Sequence, residues 1–192
     1  MASFGHAPLI LASASPRRRD LLAQIGIVPA RIAPTDIDET RRKDESPRAL
    51  AERLAREKAV ACDADGFVLA ADTVVALGTR NLEKAENAAE AEAFLRLLSG
   101  RSHQCITGIA VKAPDGRLQS RTVLARVRMK RLTDQEIAAY VASGEWQGKA
   151  GGYGIQGMAG AFITHINGSY TAIVGLPLYE TKSLLEGMGW RG

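Results

Sequence analysis

Apolar and polar positions divide the chain into short apolar runs and longer amphipathic stretches. The apolar runs predict strands at 8–13, 30–33, 67–77, 103–112, 118–131 and 161–167. Apolar residues at helical spacing predict helices at 16–25, 46–64, 86–98, 134–143 and after Pro177. Helices alternate with strands, but the turn at 114–116 also joins two strands into a hairpin. The pattern therefore predicts an α/β fold with a mixed sheet.

Three arginines stand where the first helix begins. A helix N-terminus carries a partial positive charge, so Arg17, Arg18 and Arg19 cost stability there unless an anion lies nearby. Backbone N–H groups, the hydroxyls of Ser13 and Ser15 and the guanidinium groups would together bind a phosphate. The alternative is that Ser15 only caps the helix while the arginines stay in solvent.

A carboxylate and an amine interrupt two apolar patterns. Asp72 lies in the strand 67–77, where a buried carboxylate needs a metal ion, a lysine or N–H donors as partner. With a metal ion it would help to activate a water for attack on phosphorus. The alternative is a salt-bridged or strand-end aspartate. Lys58 follows Leu50 and Leu54 at helical spacing, so it either extends outward or reaches into a cleft.

Two further residues and one loop complete the candidate chemistry. Thr73 would face the opposite side of the strand from Asp72, unless the backbone bulges. Lys84 adds a positive charge beyond the strand, although by itself it would be expected in solvent. Residues 148–157 are too rich in glycine for a regular element, and glycine lets a backbone approach a ligand closely. A plain flexible loop is the alternative.

Composition narrows the function classes. The 192 residues are 46% hydrophobic and 24% charged, as is usual for a soluble globular protein. No apolar run approaches the about 20 residues that span a bilayer, and the first residues do not resemble a signal peptide, so we expect a cytoplasmic protein. The net charge of +4 permits a polyanionic partner, but aromatic residues, at 5%, offer few stacking platforms for nucleic acid.

Cysteine and histidine give little sign of chemistry. Cys62 and Cys105 lie outside any CxxC pair, so neither a structural zinc site nor a disulfide framework is expected. His6, His103 and His165 show no metal-ligand spacing and are predicted to be structural. The sequence also contains no GxSxG segment or Cys/His arrangement, which favours direct attack by water over a covalent intermediate.

Taken together, eight segments resemble the Maf family, the septum-formation-inhibitor family of nucleotide pyrophosphatases. The segments are SASPRR (13–18), IDE (37–39), AREKA (55–59), AADTVV (70–75), LSGRSHQCITG (98–108), KAGGYGIQG (149–157), INGSY (166–170) and VGLPL (174–178). The resemblance implies one domain over 1–192, a mixed twisted α/β sheet with flanking helices. It also implies a deep cleft between two lobes, similar to that of inosine triphosphate pyrophosphatases, and a homodimer.

The resemblance further implies hydrolysis of a nucleoside triphosphate to the monophosphate and pyrophosphate with Mg²⁺ or Mn²⁺. It makes Asp72 the proton acceptor and assigns base choice to Arg17, Thr73 and Gln156. Arg17 and Gln156 fit the branch that acts on dTTP and UTP, whereas a branch preferring 7-methyl-GTP carries Trp and Glu there. A glutamine amide can donate to O4 and accept from N3–H, the edge that thymine and uracil share.

These observations give one hypothesis and two rivals. The triphosphate would lie between the turn with Ser13, Ser15, Arg17 and Arg18 and the side with Lys58 and Lys84, while Glu39 and Asp72 hold the metal ion. Ala85 replaces a proline common in the family, which would make the loop with Lys84 less rigid. The substrate could also be a modified pyrimidine nucleotide, and the role nucleotide-pool cleansing or cell-division arrest. The rivals are a nucleic-acid-binding module and a nucleotide sensor without turnover.

Overall fold

A computed structural model describes residues 7–192, and its centre is a seven-stranded mixed sheet with the order β2-β1-β3-β5-β6-β7 and β4 paired to β3. The strands are β1 (Leu9–Leu11), β2 (Arg31–Ile32), β3 (Phe67–Leu77), β4 (Arg80–Leu82), β5 (Ser102–Lys112), β6 (Leu118–Met129) and β7 (Ile163–Asn167). β1 runs parallel to β2 and β3, and all other pairs are antiparallel. The mixed α/β sheet predicted from the sequence is therefore confirmed.

Six helices accompany the sheet in the described part of the chain. They are α1 (Pro16–Gln24), α2 (Pro47–Ala61), α3 (Ala88–Leu98), α4 (Asp134–Ser143), α5 (Tyr170–Val174) and α6 (Leu178–Met188), with a 3₁₀ helix at Met158–Phe162. Their starts follow capping chemistry: Ser46 and Asn87 accept from backbone N–H groups, and Thr133 forms a capping box with Glu136. β4 and α5, which are short, were not predicted.

Helices cover the two faces of the sheet differently. On one face, α2 packs through its small residues against β3 and β5. On the other face, α1 and α6 form a core with β1 and β3, and α3 and α4 form a second core with β5 and β6. A Cβ on Gly108 of β5 would lie 2.2 Å from the carbonyl oxygen of Ala51, so only glycine lets α2 come this close.

The edge of β3 is open for a short interval. β5 pairs along one edge of β3 from residue 68 to residue 76. On the other edge, β1 ends at the partner of Leu69, and pairing with β4 starts only at Val75, opposite the last residue of β4. Between them no described strand pairs with β3, so side chains from both of its faces reach the same cleft. This is why Asp72 and Thr73 both line it, although the β3–β5 pairing is regular and the backbone does not bulge there.

Candidate active site

One cleft, with a volume of about 530 Å³, contains every residue that the sequence singled out for a role. Their roles stay predictions, but the fold brings them together from separate parts of the chain. They are Ser13, Ser15, Arg17, Arg18, Glu39, Lys58, Asp72, Thr73, Lys84 and Gln156.

The turn between β1 and α1 forms one wall. The buried Ser13 Oγ accepts from Arg18 Nη1 at 2.9 Å and from the Ser15 N–H at 3.2 Å, so its own proton is left to donate. Ser15 makes no side-chain cap on α1, and Arg17 and Arg18 are half-buried while Arg19 is exposed. The alternative in which Ser15 caps the helix and all the arginines stay in solvent is therefore wrong.

A hydrogen-bonded chain fixes the orientation of Arg18 and Thr73. Arg18 Nε donates to the Gly175 carbonyl at 2.9 Å, and its Nη2 lies 3.5 Å from Thr73 Oγ1. Thr107 donates to the Ala172 carbonyl at 2.8 Å. Because that proton is committed, Thr73 donates across the 2.9 Å to Thr107. Thr73 therefore presents lone pairs to the cleft.

Lys58 joins the two carboxylates of the cleft. Its Nζ lies 2.6 Å from Asp72 Oδ1 and 2.6 Å from Glu39 Oε1. Lys58 and Asp72 are each only 8% exposed. The lysine thus reaches into the cleft rather than extending outward, and it is the partner that the buried carboxylate requires. Lys84 contributes less, because its Nζ is 4.0 Å from Glu39 Oε2 and its side chain is 64% exposed.

Burial and local charge shift the pKa of two groups of the cleft. Burial alone would raise the pKa of Glu39, but the hydrogen bond and charge of Lys58, with the charges of Lys84 and Arg18, outweigh it and lower that pKa. Burial lowers the pKa of Arg17. The cavity therefore combines two carboxylates with several cationic side chains.

The glycine-rich loop (residues 148–157) is held against the sheet rather than free. Ala150 forms an isolated bridge with Lys84, and the Gly151 N–H donates to the Leu82 carbonyl at 3.0 Å. Gly151 has φ of 71°, and a Cβ there would lie 2.8 Å from Val75 Cγ1, so this contact requires glycine. The bridge also fixes the backbone of Lys84 despite the alanine that follows it in place of a proline.

Lys149 is a residue of the cleft that the sequence analysis did not single out. Its Nζ donates to the Glu145 carbonyl, and its pKa is lowered by burial and by the charge of Arg17. A Cβ on Gly154 would lie 2.6 Å from Lys149 Cε and 3.3 Å from Gln156 Nε2, so both side chains lie over Gly154. The signal was present as a lone lysine at the start of the segment KAGGYGIQG.

The structure buries both cysteines and one of the histidines. Cys62 and Cys105 are buried free thiols, as expected of small buried residues. His103 is 2% exposed, His165 is exposed on β7, and His6 lies outside the described residues. Within residues 7–192, no group of three or more His, Cys, Asp or Glu side chains is arranged to hold a metal ion. No helix in that range is long and apolar enough to cross a bilayer.

Sequence comparisons with known proteins find relatives over nearly the whole chain. A family model described as Maf-like protein matches residues 8–188. A protein of Hyphomonas neptunium named dTTP/UTP pyrophosphatase is 80% identical over 188 residues, covering 97% of this chain and 98% of its own. A protein of the same name from Caulobacter vibrioides is 61% identical over 186 residues, covering 95% of this chain and 96% of its own.

Solved structures give a weaker match. A HAM1 protein from Coxiella burnetii aligns with a TM-score of 0.44 and 18% identity, over 65% of this chain and 73% of that chain.

Proposed function

The chain belongs to the Maf family, and from that premise we propose that it is a nucleoside triphosphate pyrophosphatase that hydrolyses dTTP and UTP to the monophosphate and pyrophosphate. The observation that carries the proposal is the pairing of buried Asp72 with Lys58 in the same cavity that the arginine-bearing turn lines. A carboxylate, an ammonium group and two guanidinium groups around one cavity suit a polyanionic substrate that water attacks.

The residues divide the work of the reaction between them. Arg17, the Ser13 hydroxyl and the N-terminus of α1 bind phosphate oxygens. Asp72 Oδ1 is occupied by Lys58, so Oδ2 is left to accept a proton from the attacking water. Water attacks the alpha phosphorus, and the bond from that phosphorus to the oxygen that bridges it to the beta phosphate breaks. Pyrophosphate then leaves with the bonding electrons. Lys58 stabilises the charge that develops on the phosphate oxygens.

The two carboxylates fit a divalent cation. Lys58 Nζ pairs with only one oxygen of each carboxylate, Glu39 Oε1 and Asp72 Oδ1, which leaves Glu39 Oε2 and the second lone pair of Asp72 Oδ2 to ligate a cation beside the lysine. Mg²⁺ is bound in proteins by one or two carboxylates together with substrate phosphates and waters, so a site without a third protein carboxylate suits it. We therefore propose that Glu39 and Asp72 hold Mg²⁺ or Mn²⁺. When bound, the cation neutralises charge on the phosphate oxygens and makes water more acidic.

Base choice is proposed to depend on Gln156 and Thr73. Both line the cleft, and the Thr73 hydroxyl presents acceptors because its proton is used internally. Thymine and uracil offer one N–H donor at N3 and an acceptor at O4, and a glutamine amide complements that pair. Arg17 lies on the same side as the glycine-rich loop, with Nη2 3.5 Å from the Gly148 carbonyl.

A panel assay tests the proposal. Release of pyrophosphate is measured from dTTP, UTP, CTP, GTP and 7-methyl-GTP, with Mg²⁺ and with EDTA. We expect dTTP and UTP to give the highest kcat/KM and EDTA to abolish turnover. Orthophosphate as the product, or equal rates with all five nucleotides, would refute the proposed reaction or the proposed base choice. Turnover unchanged by EDTA would refute the metal.

The remaining expectations are tested separately. A nucleic-acid-binding module predicts tight, salt-sensitive binding of RNA or DNA, and a sensor predicts nucleotide binding without pyrophosphate release. We propose that the enzyme acts in the cytoplasm on normal or modified pyrimidine nucleotides, as nucleotide-pool cleansing or a part in cell-division arrest would require. The expected homodimer stays a prediction, which light scattering of the purified protein checks.

A further inference from the structure

Two buried tyrosines hold the glycine-rich loop from beneath. The Tyr153 hydroxyl lies 2.6 Å from His103 Nε2 and 3.7 Å from Cys105 Sγ. His103 and Cys105 are two residues apart on β5 and therefore face the same side of the sheet. One residue later, the Gly154 N–H donates to the Tyr140 hydroxyl of α4 at 3.0 Å. Consecutive loop residues are thus tied to a central strand and to a helix.

The direction of the His103–Tyr153 hydrogen bond follows from what surrounds the imidazole. Burial lowers the pKa of His103 to about 4, so the ring is neutral at physiological pH. Its Nδ1 is buried and has no partner among the described residues. An unpaired N–H is rarer in proteins than an unpaired acceptor, which favours the tautomer with the proton on Nε2. His103 then donates to Tyr153, whose own proton points toward Cys105.

This anchor lies directly under the group proposed to recognise the base. Tyr153 is 5% exposed and lines the cleft. The next residue, Gly154, lies so close to Gln156 that a Cβ there would be 3.3 Å from the Gln156 Nε2. A rotation of the backbone at 153–154 would therefore move the amide of Gln156. Asp72 and Lys58 belong to β3 and α2 and do not depend on this anchor.

We propose that His103 and Tyr153 are positioning residues that set the base choice of the enzyme by fixing the backbone that presents Gln156. The inference rests on the proposed function, because it assigns Gln156 to the pyrimidine base. The inference goes beyond the proposed function because it makes His103, a buried residue that does not contact the substrate, a determinant of specificity. The closest competing base is cytosine, whose edge inverts the donor and acceptor that uracil presents. If the Gln156 amide were held less firmly, it could rotate by 180° and would then complement cytosine.

Three variants test the inference. His103→Leu removes the donor at similar size, His103→Gln keeps an N–H donor for the Tyr153 hydroxyl, and His165→Gln is the matched control on exposed β7. For each, kcat and KM are measured with UTP and CTP at a temperature where circular dichroism shows a folded protein. Affinities for the α,β-imido analogues of both nucleotides, which resist cleavage, report base choice without turnover.

We expect His103→Leu to lower the UTP-over-CTP ratio of kcat/KM by about five- to tenfold, since discrimination by hydrogen bonds depends on their fixed placement. The loss should come from a higher KM for UTP and a lower one for CTP, with kcat for UTP nearly unchanged. His103→Gln should restore most of the ratio, and His165→Gln should leave it at the wild-type value. The ratio of analogue affinities should shift in parallel.

Two outcomes would overturn the proposal. One is a folded His103→Leu protein with an unchanged ratio for both substrates and analogues, since a merely structural role predicts that. The other is a wild-type protein without preference between the two analogues. The proposed function fails differently: a wild-type protein that binds the UTP analogue selectively but releases no pyrophosphate would refute the activity and leave the role of His103 testable by binding.

Discussion

The cleft is bounded by two loops of opposite construction. The charged loop (residues 33–46) carries Glu39 and is held to α2 by ion pairs, among them Arg53 to Glu45 at 2.7 Å and Arg42 to Glu57 at 2.9 Å. The glycine-rich loop carries Gln156 and is held by buried hydroxyl groups, backbone hydrogen bonds and close glycine contacts. Most of the charged loop is exposed, whereas the middle of the glycine-rich loop, residues 151–155, is buried.

The difference matches the tasks proposed for the two sides. Recognition of a base requires a donor and an acceptor at fixed positions, and buried hydrogen bonds supply that. Binding of phosphate and metal requires charge that adapts as a polyanion and a cation arrive, and Glu39, whose side chain is 44% exposed, can exchange partners at low cost. The comparison predicts that the glycine-rich side tolerates steric change poorly, while the exposed end of the charged loop tolerates substitution well.

The largest expected effect lies at the carboxylate between the two loops. Asp72→Asn should lower kcat for UTP by about 10³-fold, the middle of the range seen when a general base is removed. Because the amide still accepts from Lys58, the unfolding temperature should change little. Pyrophosphate release checks this, with Asp65→Asn, an exposed aspartate before the same strand, as control. Near-full turnover would remove Asp72 from the reaction.

Acid should weaken the two loops in separate pH windows. His103 has a pKa of about 4 in the folded protein and about 6.5 when unfolded. The unfolded chain therefore binds the proton first, and stability of about 3 kcal/mol is lost as the pH falls from 6.5 to 4. Hydrogen bonding to Arg53 lowers the pKa of Glu45 to about 2, so its contribution is lost between pH 4.5 and 2.

Urea unfolding at a series of pH values separates these windows. His103→Gln should flatten the upper window, and Glu45→Gln should flatten the lower one. If both variants flattened the same window, His103 and Glu45 would not be the groups that set the two windows, and the assignment of one window to each loop would fail.

A single methyl group on the glycine-rich loop should have an intermediate effect. In Gly154→Ala the added Cβ would lie 2.6 Å from Lys149 Cε, so Lys149 and Gln156 must move. We expect kcat/KM for UTP to fall about tenfold, because small misplacements at a recognition site are costly. Gly187→Ala on α6, where a Cβ meets nothing within 4 Å, is the control. Wild-type kcat/KM in Gly154→Ala would show a loop that adapts after all.

The smallest effect is expected at the exposed end of the charged loop. The Arg42 side chain is 67% exposed in its pair with Glu57. Arg42→Gln should lower the free energy of unfolding by less than about 0.5 kcal/mol and leave kcat/KM unchanged. Chemical denaturation and steady-state kinetics measure the two quantities. A loss of activity above about threefold would mean that this loop, too, is rigidly fixed.

The sequence predicted much of this molecule because its main elements are long and strongly patterned. The eleven apolar-rich residues of β3 and the apolar stripe of α2 left little alternative to a strand and a helix. The two charged residues that break those patterns, Asp72 and Lys58, are paired with each other in the structure. β4, of three residues, and α5, of five, carry too little periodicity to be predicted. β4 forms because β3 pairs with it, and α5 forms where it packs on β5, whose Thr107 donates to the Ala172 carbonyl.

Side-chain networks were harder to predict than positions. His103 gave no metal-ligand spacing and looked structural, and nothing local indicates that it meets Tyr153 across 50 positions. Thr107 similarly lies in an apolar strand, yet it determines which way the Thr73 hydroxyl points. Such links depend on the register of β5 against β3, which is a property of the folded sheet.

Gly108 stands directly opposite Asp72 in that register, at the place where α2 lies on β5. The absence of a Cβ at Gly108 therefore determines how closely the Lys58 ammonium approaches Asp72, although β5 carries neither of these two residues. Family members or engineered variants with a larger residue at this position would have to lift the helix. Their acid and amine would then separate even with both residues unchanged, so intact motifs alone would not guarantee a working enzyme.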